Sequence, residues 1–476
     1  DQGRPPHLQD LHGNPPRLTP MTPINPLIFR EYDVRGLVGR DLHRDAVVLL
    51  GKGYGTLAAA DGVRTVALGR DCRLSSPGFR DAIAEGLLSA GLKVIDVGVC
   101  PTPLLYFAIH HFGADGGVMI TGSHNPPEFN GFKLCVGTGT LYGERIQELR
   151  RVIERGAFRE GKGEIVSREI ISEYRKFVAG NLSIPRKLKV VVDAGNGTGG
   201  AVAPALFREM GMEVTELFCD PDGRFPNHFP DPTVPENLRF LVEKVRAVGA
   251  DVGVGYDGDA DRIGAVDEKG NVIYGDYLLV LFAREILSRK PGAAIISEVK
   301  SSQNLYDDIA RHGGRPVMWK AGHSLIKAKM KEENAELAGE MSGHVFFRDR
   351  YLGFDDAIYA SARLFEILAK EGRPLSALLS DLPPVVSTPE IRVDCPDEIK
   401  FRVVEEVARI VAPQAREVID VDGIRALFDG GWGLVRASNT QPVLVLRFEG
   451  RDEAAVRRIR GVMEEAVERA RAAASA

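Results

Sequence analysis

The sequence predicts an α/β protein with three similar mixed α/β-sheet domains and a smaller C-terminal α+β domain. Apolar, strand-like runs alternate with amphipathic helical patterns from about residue 26 onward, which is typical of α/β layers with largely parallel sheets. The unit of strand, polar loop and helix recurs along the chain, which indicates domains of similar plan. The last part of the chain changes to short strand patterns joined by Gly- and Asn-bearing turns, followed by a charged helix.

Length and composition agree with a multidomain globular protein. The chain has 476 residues, of which 44% are hydrophobic and 27% charged, and a chain of this length favours about three or four domains. Apolar stretches such as residues 277–283 are too short to cross a membrane. The five cysteines are scattered and lack CxxC spacing, which argues against disulfides and a thiolate zinc site. We therefore expect a cytoplasmic protein without a membrane partner.

Charge and the N-terminal composition set two further expectations. The net charge of −5 gives no general attraction for nucleic acid, so no nucleic-acid partner is expected. An anionic substrate would need counter-charges that are concentrated in one site. Residues 1–23 contain six prolines and almost no apolar pattern, and they do not begin with Met. We expect this segment to be a disordered leader.

The predicted elements follow one another regularly. In the α/β part, the predicted strands include residues 65–69, 93–97, 117–120, 189–193, 213–218, 251–255 and 293–297, and the predicted helices include residues 77–90 and 202–210. The smaller domain is expected to begin near residues 382–384, Leu-Pro-Pro. Its predicted strands are residues 387–394 and 416–420 and several within 423–448, and its predicted helices are residues 398–411 and 452–472.

The loop of residues 121–133, TGSHNPPEFNGFK, has the composition of an active-site loop. It follows a buried strand pattern, and Gly122 frees the backbone around the Ser123 hydroxyl. Two prolines stiffen the next turn, and Lys133 brings a cation and a proton carrier to the far end. Ser123 is therefore the candidate nucleophile. The alternative is a polar strand-to-helix connection in which Ser123 caps a helix and His124 is a surface histidine.

The segment of residues 257–262, DGDADR, supplies three carboxylates. In an extended chain, residues two apart project to the same side, so Asp257, Asp259 and Asp261 are predicted to converge on one point. Oxygen ligands of this kind suit Mg²⁺. A solvated acidic turn is the alternative. A calcium-binding EF-hand with Glu268 at its twelfth position is rejected, because Arg262 occupies the position that needs Gly and strands flank the loop.

A glycine-rich stretch favours a different class of protein. Residues 195–200 match GxGxxG between a strand and a helix, and Glu213 and Glu216 follow at the distance of a ribose-binding acid. This pattern is typical of dinucleotide-binding oxidoreductases. A tight turn that packs a helix against a sheet has the same sequence and needs no ligand.

Two later loops carry polar groups suited to a sugar phosphate. Residues 339–344, GEMSGH, place a carboxylate, a hydroxyl and an imidazole between glycines, which suits sugar hydroxyls. Lys320 and His323 could add cations nearby. Residues 436–442, RASNTQP, combine an arginine with neutral donors, which suits a phosphate. Polar turns at strand edges are the alternative for both loops.

Taken in order, TGSHNPPEFNGFK, DGDADR, GEMSGH and RASNTQP resemble the α-D-phosphohexomutase superfamily, and most closely its bacterial phosphomannomutase/phosphoglucomutase branch. The resemblance runs from about residue 26 to the C-terminus. It implies four domains around a central active-site cleft. After the leader, these are residues 24–169 with the phosphoserine loop, 170–271 with the metal-binding loop, 272–383 with the sugar-binding loop and 384–476 with the phosphate-binding loop.

The resemblance also implies roles for individual residues. Ser123 is expected to be carried as phosphoserine, and Mg²⁺ to be held by this group with Asp257, Asp259 and Asp261. Lys133 matches the family's general acid/base, and His344 is a second candidate. The predicted catalytic set is Ser123, His124, Lys133, His344, Arg35 and Arg262. The predicted substrate-binding set is Tyr32, Lys300, His323, Glu340, Met341, Ser342, Gly343, His344, Arg436, Ala437, Ser438, Asn439 and Thr440.

The implied reaction interconverts hexose 1-phosphate and hexose 6-phosphate. The phosphoryl group moves from Ser123 to the free end of a hexose monophosphate, giving a hexose 1,6-bisphosphate, which turns end for end and returns its other phosphoryl group. Mannose and glucose differ only at C2, so both are expected substrates. Alternatives are a phosphoglucosamine mutase, a dinucleotide-binding oxidoreductase and a non-catalytic sugar-phosphate binding protein.

Overall fold

The structure is a computed structural model that describes residues 24–438 and 441–475. The predicted leader, residues 1–23, and the predicted phosphate-binding residues Asn439 and Thr440 lie outside the described residues. Within the described part of the chain, every helix is too short or too polar to cross a bilayer. All five cysteines are free thiols, and four of them are buried.

The first unit contains a seven-stranded mixed sheet in the order β1-β5-β4-β2-β3-β7, with β6 paired to β5. Its elements are β1 (Val34–Leu37), α1 (Arg44–Ala60), β2 (Thr65–Arg70), α2 (Ser76–Ser89), β3 (Lys93–Val99), α3 (Thr102–Phe112), β4 (Gly116–Ile120), β5 (Phe129–Val136), β6 (Gly139–Thr140), α4 (Glu144–Arg155) and β7 (Glu164–Ser167). The central strands β2, β3 and β4 are parallel, and they are apolar because helices cover both of their faces.

The second unit has a five-stranded sheet in the order β12-β11-β10-β8-β9. Its elements are α5 (Ile171–Asn181), β8 (Lys189–Asp193), α6 (Ala203–Glu209), β9 (Glu213–Leu217), α7 (Arg239–Val248), β10 (Val252–Tyr256), β11 (Ile263–Asp267) and β12 (Val272–Ile273). Helix α7 packs closely on β10 because Gly253 has no side chain. A Cβ at Gly253 would lie 2.5 Å from a methyl carbon of Val245.

The third unit has a four-stranded sheet in the order β14-β13-β15-β16. Its elements are α8 (Gly275–Arg289), β13 (Ala294–Glu298), α9 (Gln303–Arg311), β14 (Arg315–Trp319), α10 (His323–Glu333), β15 (Leu337–Gly339), β16 (Val345–Phe347), α11 (Ala357–Glu371) and α12 (Leu375–Leu378). The side chains of Ser302 and Asp356 accept backbone N–H groups at the starts of α9 and α11, which fixes where these helices begin.

The fourth unit has a six-stranded antiparallel sheet. Its elements are β17 (Val386–Ser387), β18 (Ile391–Asp394), α13 (Lys400–Val411), β19 (Glu417–Ile419), β20 (Ile424–Phe428), β21 (Gly431–Ala437), β22 (Val443–Gly450) and α14 (Glu453–Ser475). The prediction of one strand over residues 387–394 was wrong, because two separate strands pair with β22. Pro389 lies between them and has no N–H to donate to a ladder.

The four sheets confirm the predicted fold class and share one feature that positions the site. In each unit, a loop that carries chemistry joins two antiparallel neighbours: β4 and β5, β10 and β11, β15 and β16, and β21 and β22. The alternative reading of residues 121–128 as a strand-to-helix connection is therefore wrong. The domain boundaries that the sequence suggested stay predictions.

The hydrophobic cores divide the molecule unequally. One continuous cluster of buried side chains runs through the first three units, from Ala67 to Leu382. The fourth unit has its own core between α13, α14 and the sheet. A small cluster of Val299, Trp432 and Leu434 joins the fourth unit to the third.

Candidate active site

The serine loop lies between β4 and β5, and its first three residues, Thr121, Gly122 and Ser123, are buried. Ser123 has φ of 49°, a left-handed conformation that a residue with a side chain adopts at a cost of about 1–3 kcal/mol. Its N–H donates to the hydroxyl of Thr121 at 2.9 Å. Its own hydroxyl donates to Asp257 Oδ2 at 2.8 Å and lies 3.2 Å from His124 Nδ1. The predicted nucleophile is thus in direct contact with the predicted metal loop.

A buried arginine, Arg73, binds the backbone of the serine loop. This residue was not identified from the sequence. Arg73 donates to the carbonyl oxygens of Ser123, Asn125, Pro126 and Phe129 at 2.6–2.9 Å. Its Nε donates to Asp71 Oδ2 at 3.1 Å, and the same oxygen accepts the N–H of Gly122. Asp71 follows β2 as Thr121 follows the parallel neighbour β4. This common sheet edge was the available signal.

Arg35 approaches the same loop from β1. Its Nη1 donates to the carbonyl oxygen of Gly122 at 3.2 Å and to Asn125 Oδ1 at 2.9 Å. Its Nη2 pairs with Asp33 at 2.6 Å. Burial, together with the nearby charges of Arg262 and Arg35, lowers the pKa of His124 well below its usual range. His124 thus lies beside the Ser123 hydroxyl, where burial and these positive charges disfavour its protonation.

The aspartate loop brings its three carboxylates together, but not by the extended geometry that the sequence suggested. Residues 257–261 form a tight turn in which Ala260 has φ of 55°. Asp257 Oδ1 accepts the N–H groups of Asp261 and Arg262, both at 3.1 Å, which closes the turn on itself. One carboxylate oxygen from each of the three aspartates lies within 4.8 Å of the others. The predicted convergence of the three carboxylates is thus observed, but the prediction that an extended chain brings them together was wrong.

The chemistry of this cluster fits a hard divalent cation. All three aspartates are fully buried. Among the described residues, Asp259 Oδ1 and Asp261 Oδ1 have no hydrogen-bond partner. Buried carboxylate oxygens without partners are costly unless a cation neutralises them. The donor set is oxygen alone, as Mg²⁺ prefers, and the serine hydroxyl stands at its edge.

Lys133 supplies positive charge to two of these carboxylates. It lies on β5 and donates to Asp259 Oδ2 at 3.0 Å and to Asp261 Oδ2. Burial disfavours its ammonium form, but the carboxylates of Asp259 and Asp261 outweigh burial and raise the pKa of Lys133. Burial likewise opposes ionisation of Asp259, yet Lys133 and the Thr102 hydroxyl at 2.5 Å lower its pKa. Burial and repulsion from Asp261 and Asp259 raise the pKa of Asp257.

The glycine-rich turn of residues 195–200 packs directly against the aspartate loop. The N–H of Thr198 donates to the carbonyl oxygen of Gly258 at 3.0 Å. A Cβ at Gly197 would lie 2.6 Å from the same oxygen, so glycine is required for this approach. Glu213 and Glu216 pair with Lys187 and Arg208. The turn therefore supports the aspartate loop, a contact that the sequence did not predict.

The loop of residues 339–344 is built against the second unit. The N–H of Ile263 donates to the carbonyl oxygen of Gly343, where φ is 97° and a Cβ would lie 2.3 Å from the Ile263 carbonyl oxygen. Glu340 Oε1 accepts the N–H of Gly322 at 2.8 Å. Glu298 at the end of β13 accepts the N–H of Met341 at 3.2 Å. Met341 and Ser342 are half-buried on the same loop.

His344 joins this loop to the aspartate loop. Its Nε2 accepts the Nε–H of Arg262 at 3.0 Å, and its Nδ1 lies 3.0 Å from Asp355 Oδ2 and 3.7 Å from Asp261 Oδ1. The ring of His323 stacks on it with centroids 5.4 Å apart. Burial and the charge of Lys327 lower the pKa of His323 well below its usual range. Asp355 and Lys327 are neighbours that the sequence analysis did not identify.

The remaining predicted groups line the same wall. The hydroxyl of Tyr32 donates to the carbonyl oxygen of Ala321 at 3.1 Å, and its ring lies 5.9 Å from that of His323. Lys300 lies 2.8 Å from Glu390 and 3.8 Å from Glu298. These contacts connect the first unit to the third and the third unit to the fourth.

The phosphate loop reaches this wall through an aspartate. Arg436 pairs with Asp422 at 3.0 Å, and Asp422 also accepts the N–H of Ala321 at 3.0 Å. Lys400 donates to the carbonyl oxygens of Ser438 and Gln441 at 2.6 and 3.2 Å. Asp422 and Lys400 were not predicted, since their roles depend on contacts with distant segments.

Comparison with known proteins follows the same four units. Residues 26–160, 172–270 and 274–386 match the families described as phosphoglucomutase/phosphomannomutase, alpha/beta/alpha domains I, II and III. Residues 390–466 match the phosphoglucomutase/phosphomannomutase C-terminal domain.

Full-length relatives agree with these matches. A protein of Pseudomonas putida named phosphomannomutase/phosphoglucomutase is 48% identical over 435 residues, covering 91% of this chain and 94% of the relative. A Neisseria gonorrhoeae phosphoglucomutase is 46% identical, covering 94% and 98%. The crystal structure of a phosphoglucomutase/phosphomannomutase family protein from Burkholderia thailandensis superposes with a TM-score of 0.90 at 45% identity, covering 94% of this chain and 98% of that one.

Proposed function

The chain belongs to the phosphoglucomutase/phosphomannomutase family, and from this premise we propose how its site transfers a phosphoryl group. The protein is a phosphotransferase that interconverts hexose phosphates. One observation carries the proposal for the site. The hydroxyl of Ser123 lies 2.8 Å from a carboxylate of the buried aspartate cluster.

In the active enzyme, Ser123 carries the phosphoryl group on Oγ. The free hydroxyl oxygen of a hexose monophosphate attacks the phosphorus, the bond between phosphorus and Oγ breaks, and the proton of the attacking hydroxyl passes to a basic group of the site. The product is a hexose 1,6-bisphosphate. After the intermediate turns end for end, Oγ takes the other phosphoryl group by the reverse steps, and the second hexose monophosphate leaves.

The residues around Ser123 divide the work between charge and proton transfer. Arg35 and Arg262 supply positive charge to the phosphoryl group during its transfer. Lys133 and His344 are the candidates for general acid and general base, with His124 beside Oγ. Asp257, Asp259 and Asp261 with the phosphoserine would hold Mg²⁺, which would neutralise charge on the transferring group.

The sugar and its distal phosphate bind on the opposite wall. Glu340 and Ser342 are proposed to bind the sugar hydroxyls, beside Tyr32, Lys300 and His323. Arg436 and the loop that follows it are proposed to bind the phosphate that is not being transferred. Because one site accepts both orientations of the intermediate, the two phosphates exchange places between Ser123 and the phosphate loop.

Both mannose and glucose phosphates are proposed substrates. These sugars differ only in the configuration at C2, and contacts to other hydroxyls would not separate them. Relatives named for both activities support this choice. The glycine-rich turn does not favour an oxidoreductase, since Gly197 and Thr198 are packed against Gly258. A phosphoglucosamine mutase is the remaining alternative.

Replacing Ser123 by Ala tests the mechanism. The variant should lose at least about 10³-fold in kcat, because the enzyme lacks the group that stores the phosphoryl. Ser89→Ala, which removes a hydroxyl at the end of α2 away from the cleft, is the matched control and should keep wild-type activity. Full activity of the Ser123 variant would contradict the mechanism.

A substrate comparison tests specificity. Purified protein is assayed with mannose, glucose and glucosamine 1-phosphates, with and without Mg²⁺ and a hexose 1,6-bisphosphate as activator. Turnover of the first two sugars that depends on Mg²⁺ is expected. A clear preference for glucosamine 1-phosphate would favour the alternative.

A further inference from the structure

The guanidinium of Arg73 is completely enclosed and completely satisfied. Its side chain is inaccessible to solvent. A guanidinium has five N–H donors, and all five have acceptors: Asp71 and the carbonyl oxygens of Ser123, Asn125, Pro126 and Phe129. Four of the five acceptors thus belong to the backbone of the serine loop. The Arg73 guanidinium therefore has no free donor for a substrate.

The surroundings leave the guanidinium little freedom. The ring of Phe225 from the second unit lies 5.0 Å from Arg73 Cζ. A Cβ at Gly122 would lie 2.4 Å from Arg73 Nε and Cζ, so the loop passes directly over the guanidinium plane. The aspartate loop packs against the peptide of Ser123, since a Cβ at Gly258 would lie 2.4 Å from the Ser123 carbonyl oxygen. The peptide of Ser123 is therefore confined between Arg73 and Gly258.

This arrangement explains how Ser123 keeps its unfavourable backbone conformation. With its carbonyl oxygen bonded to Arg73 at 2.9 Å and its φ at 49°, the side chain faces the aspartate cluster. Without the guanidinium, four buried carbonyl oxygens would lose their donor, and the loop would relax toward ordinary backbone angles. The hydroxyl would then move relative to Asp257.

We propose that Arg73 is a positioning residue for phosphoryl transfer: it acts through the backbone of the serine loop to hold Ser123 Oγ against the metal-binding aspartates. The proposal rests on the role proposed above for Ser123. Asp71 completes the device, because it accepts both Arg73 Nε–H and the N–H of Gly122.

Arg73→Lys is the main test. Lysine keeps the charge but offers three donors from a single nitrogen, so it cannot serve four carbonyl oxygens and Asp71 together. We expect kcat for glucose 1-phosphate to fall about 100-fold, as displacement of a reacting group by about 1 Å does, while KM changes less than about threefold. Circular dichroism and the melting temperature establish that the variant is folded.

Arg363→Lys is the matched control. Arg363 is equally buried, and it bonds Asp349 and Glu285 in the third unit, away from the serine loop. This variant should lose stability while kcat stays within about twofold of wild type. Equal losses of kcat in both lysine variants would mean that Arg73 matters only for stability, and would overturn the proposal.

Chemical rescue separates positioning from folding. Millimolar guanidinium should restore part of the kcat of Arg73→Ala and none of that of Ser123→Ala. Gly122→Ala, which displaces the guanidinium while Arg73 remains, should lower kcat in the same way. Failure of rescue in folded Arg73→Ala would overturn the proposal; if that variant does not fold, the two lysine variants decide it.

Failure of this inference is distinguishable from failure of the mechanism. If Ser123→Ala is inactive and Arg73→Lys keeps wild-type kcat, the mechanism stands and Arg73 has no positioning role. If Ser123→Ala is fully active, the mechanism itself fails, whatever Arg73 does.

Discussion

The serine loop and the phosphate loop each have backbone carbonyl oxygens bonded to a buried cation, yet the two loops are anchored very differently. Arg73 binds four carbonyl oxygens of the serine loop and belongs to the region where three units share one hydrophobic core. Lys400 binds two carbonyl oxygens of the phosphate loop, whose unit has its own core. The fourth unit contacts the third through a small apolar cluster, beside a cavity of about 580 Å³.

We infer that the region around Ser123 serves the chemical step and that the region around Arg436 serves substrate binding. In the proposed mechanism, phosphoryl transfer depends on the position of Ser123 relative to three carboxylates, and buried hydrogen bonds across two units fix this region. The proposed recognition of the second phosphate depends on Arg436, which pairs with one aspartate, Asp422, in a separately packed unit. We expect changes in the first region to lower kcat and changes in the second to raise KM.

The largest effect is expected in the aspartate cluster. Asp259→Asn should lower kcat by about 10³-fold with little change in KM. The substitution removes one negative charge from the proposed Mg²⁺ site and one of the two carboxylates that pair with Lys133. The measurement is steady-state kinetics over a series of Mg²⁺ concentrations. Asp267→Asn is the control, because Asp267 is equally buried at the other end of β11 and binds only its own turn among the described residues. A rise in KM alone for Asp259→Asn would contradict the division between the regions.

Arg436→Lys should have the next largest effect. A lysine cannot bind two phosphate oxygens with a fork of N–H groups, so we expect KM to rise about 10-fold, corresponding to about 1.4 kcal/mol, with a smaller change in kcat. Arg392→Lys is the control, since Arg392 bonds Gln441 on the outer side of the same turn. A fall in kcat without a change in KM would place Arg436 with the chemical region instead.

The joint between the third and fourth units should respond next. Arg425 donates to the carbonyl oxygens of Val299 and Ser301, both at 2.7 Å, and lies 3.7 Å from the centroid of Trp432. Arg425→Lys should weaken this joint by about 2 kcal/mol and accelerate proteolytic cleavage near residues 382–386. The melting of the first three units should not change. Arg409→Lys on the exposed face of α13 is the control, and equal cleavage of both variants would refute the assignment.

The smallest effect concerns pH. His228 donates to Asp193 at 3.0 Å, behind the glycine-rich turn that supports the aspartate loop. Burial opposes its protonation, but Asp193 outweighs burial and raises the pKa of His228. Its contribution to stability is therefore fully present below the unfolded-state pKa of about 6.5 and is lost as pH rises through the higher folded-state pKa.

Thermal unfolding between pH 5 and pH 9 measures this contribution. Replacing His228 by Gln should flatten the pH dependence of the melting temperature by about 1–2 °C. A steeper pH dependence of the melting temperature in the His228→Gln variant would contradict the predicted direction of the pKa shift. Among its described residues, the fourth unit has no histidine–aspartate pair, so this pH effect should be confined to the first three units.

Most of the fold could be predicted from the sequence because the signals are local. Alternating apolar runs identified strands such as Lys189–Asp193 and helices such as α2 to within one or two residues. The predicted geometry failed at the aspartate turn, where Ala260 adopts φ of 55° and the chain is not extended. A left-handed alanine has no local sequence signal. The N–H of Ala260 donates to the carbonyl oxygen of Asp257, and its carbonyl oxygen accepts the N–H of Ala357 from the third unit.

By itself, the sequence determined where the strands end, which loops follow them and which residue types these loops supply, because loop composition and strand period are properties of consecutive residues. Only the tertiary structure decided that Arg73 supports Ser123, that Lys133 lies between Asp259 and Asp261, and that Asp422 holds Arg436. Apart from the last pair, these contacts join residues 50 or more positions apart. Their partners are chosen by the packing of sheets and by the need to satisfy buried donors and charges, which no local pattern records.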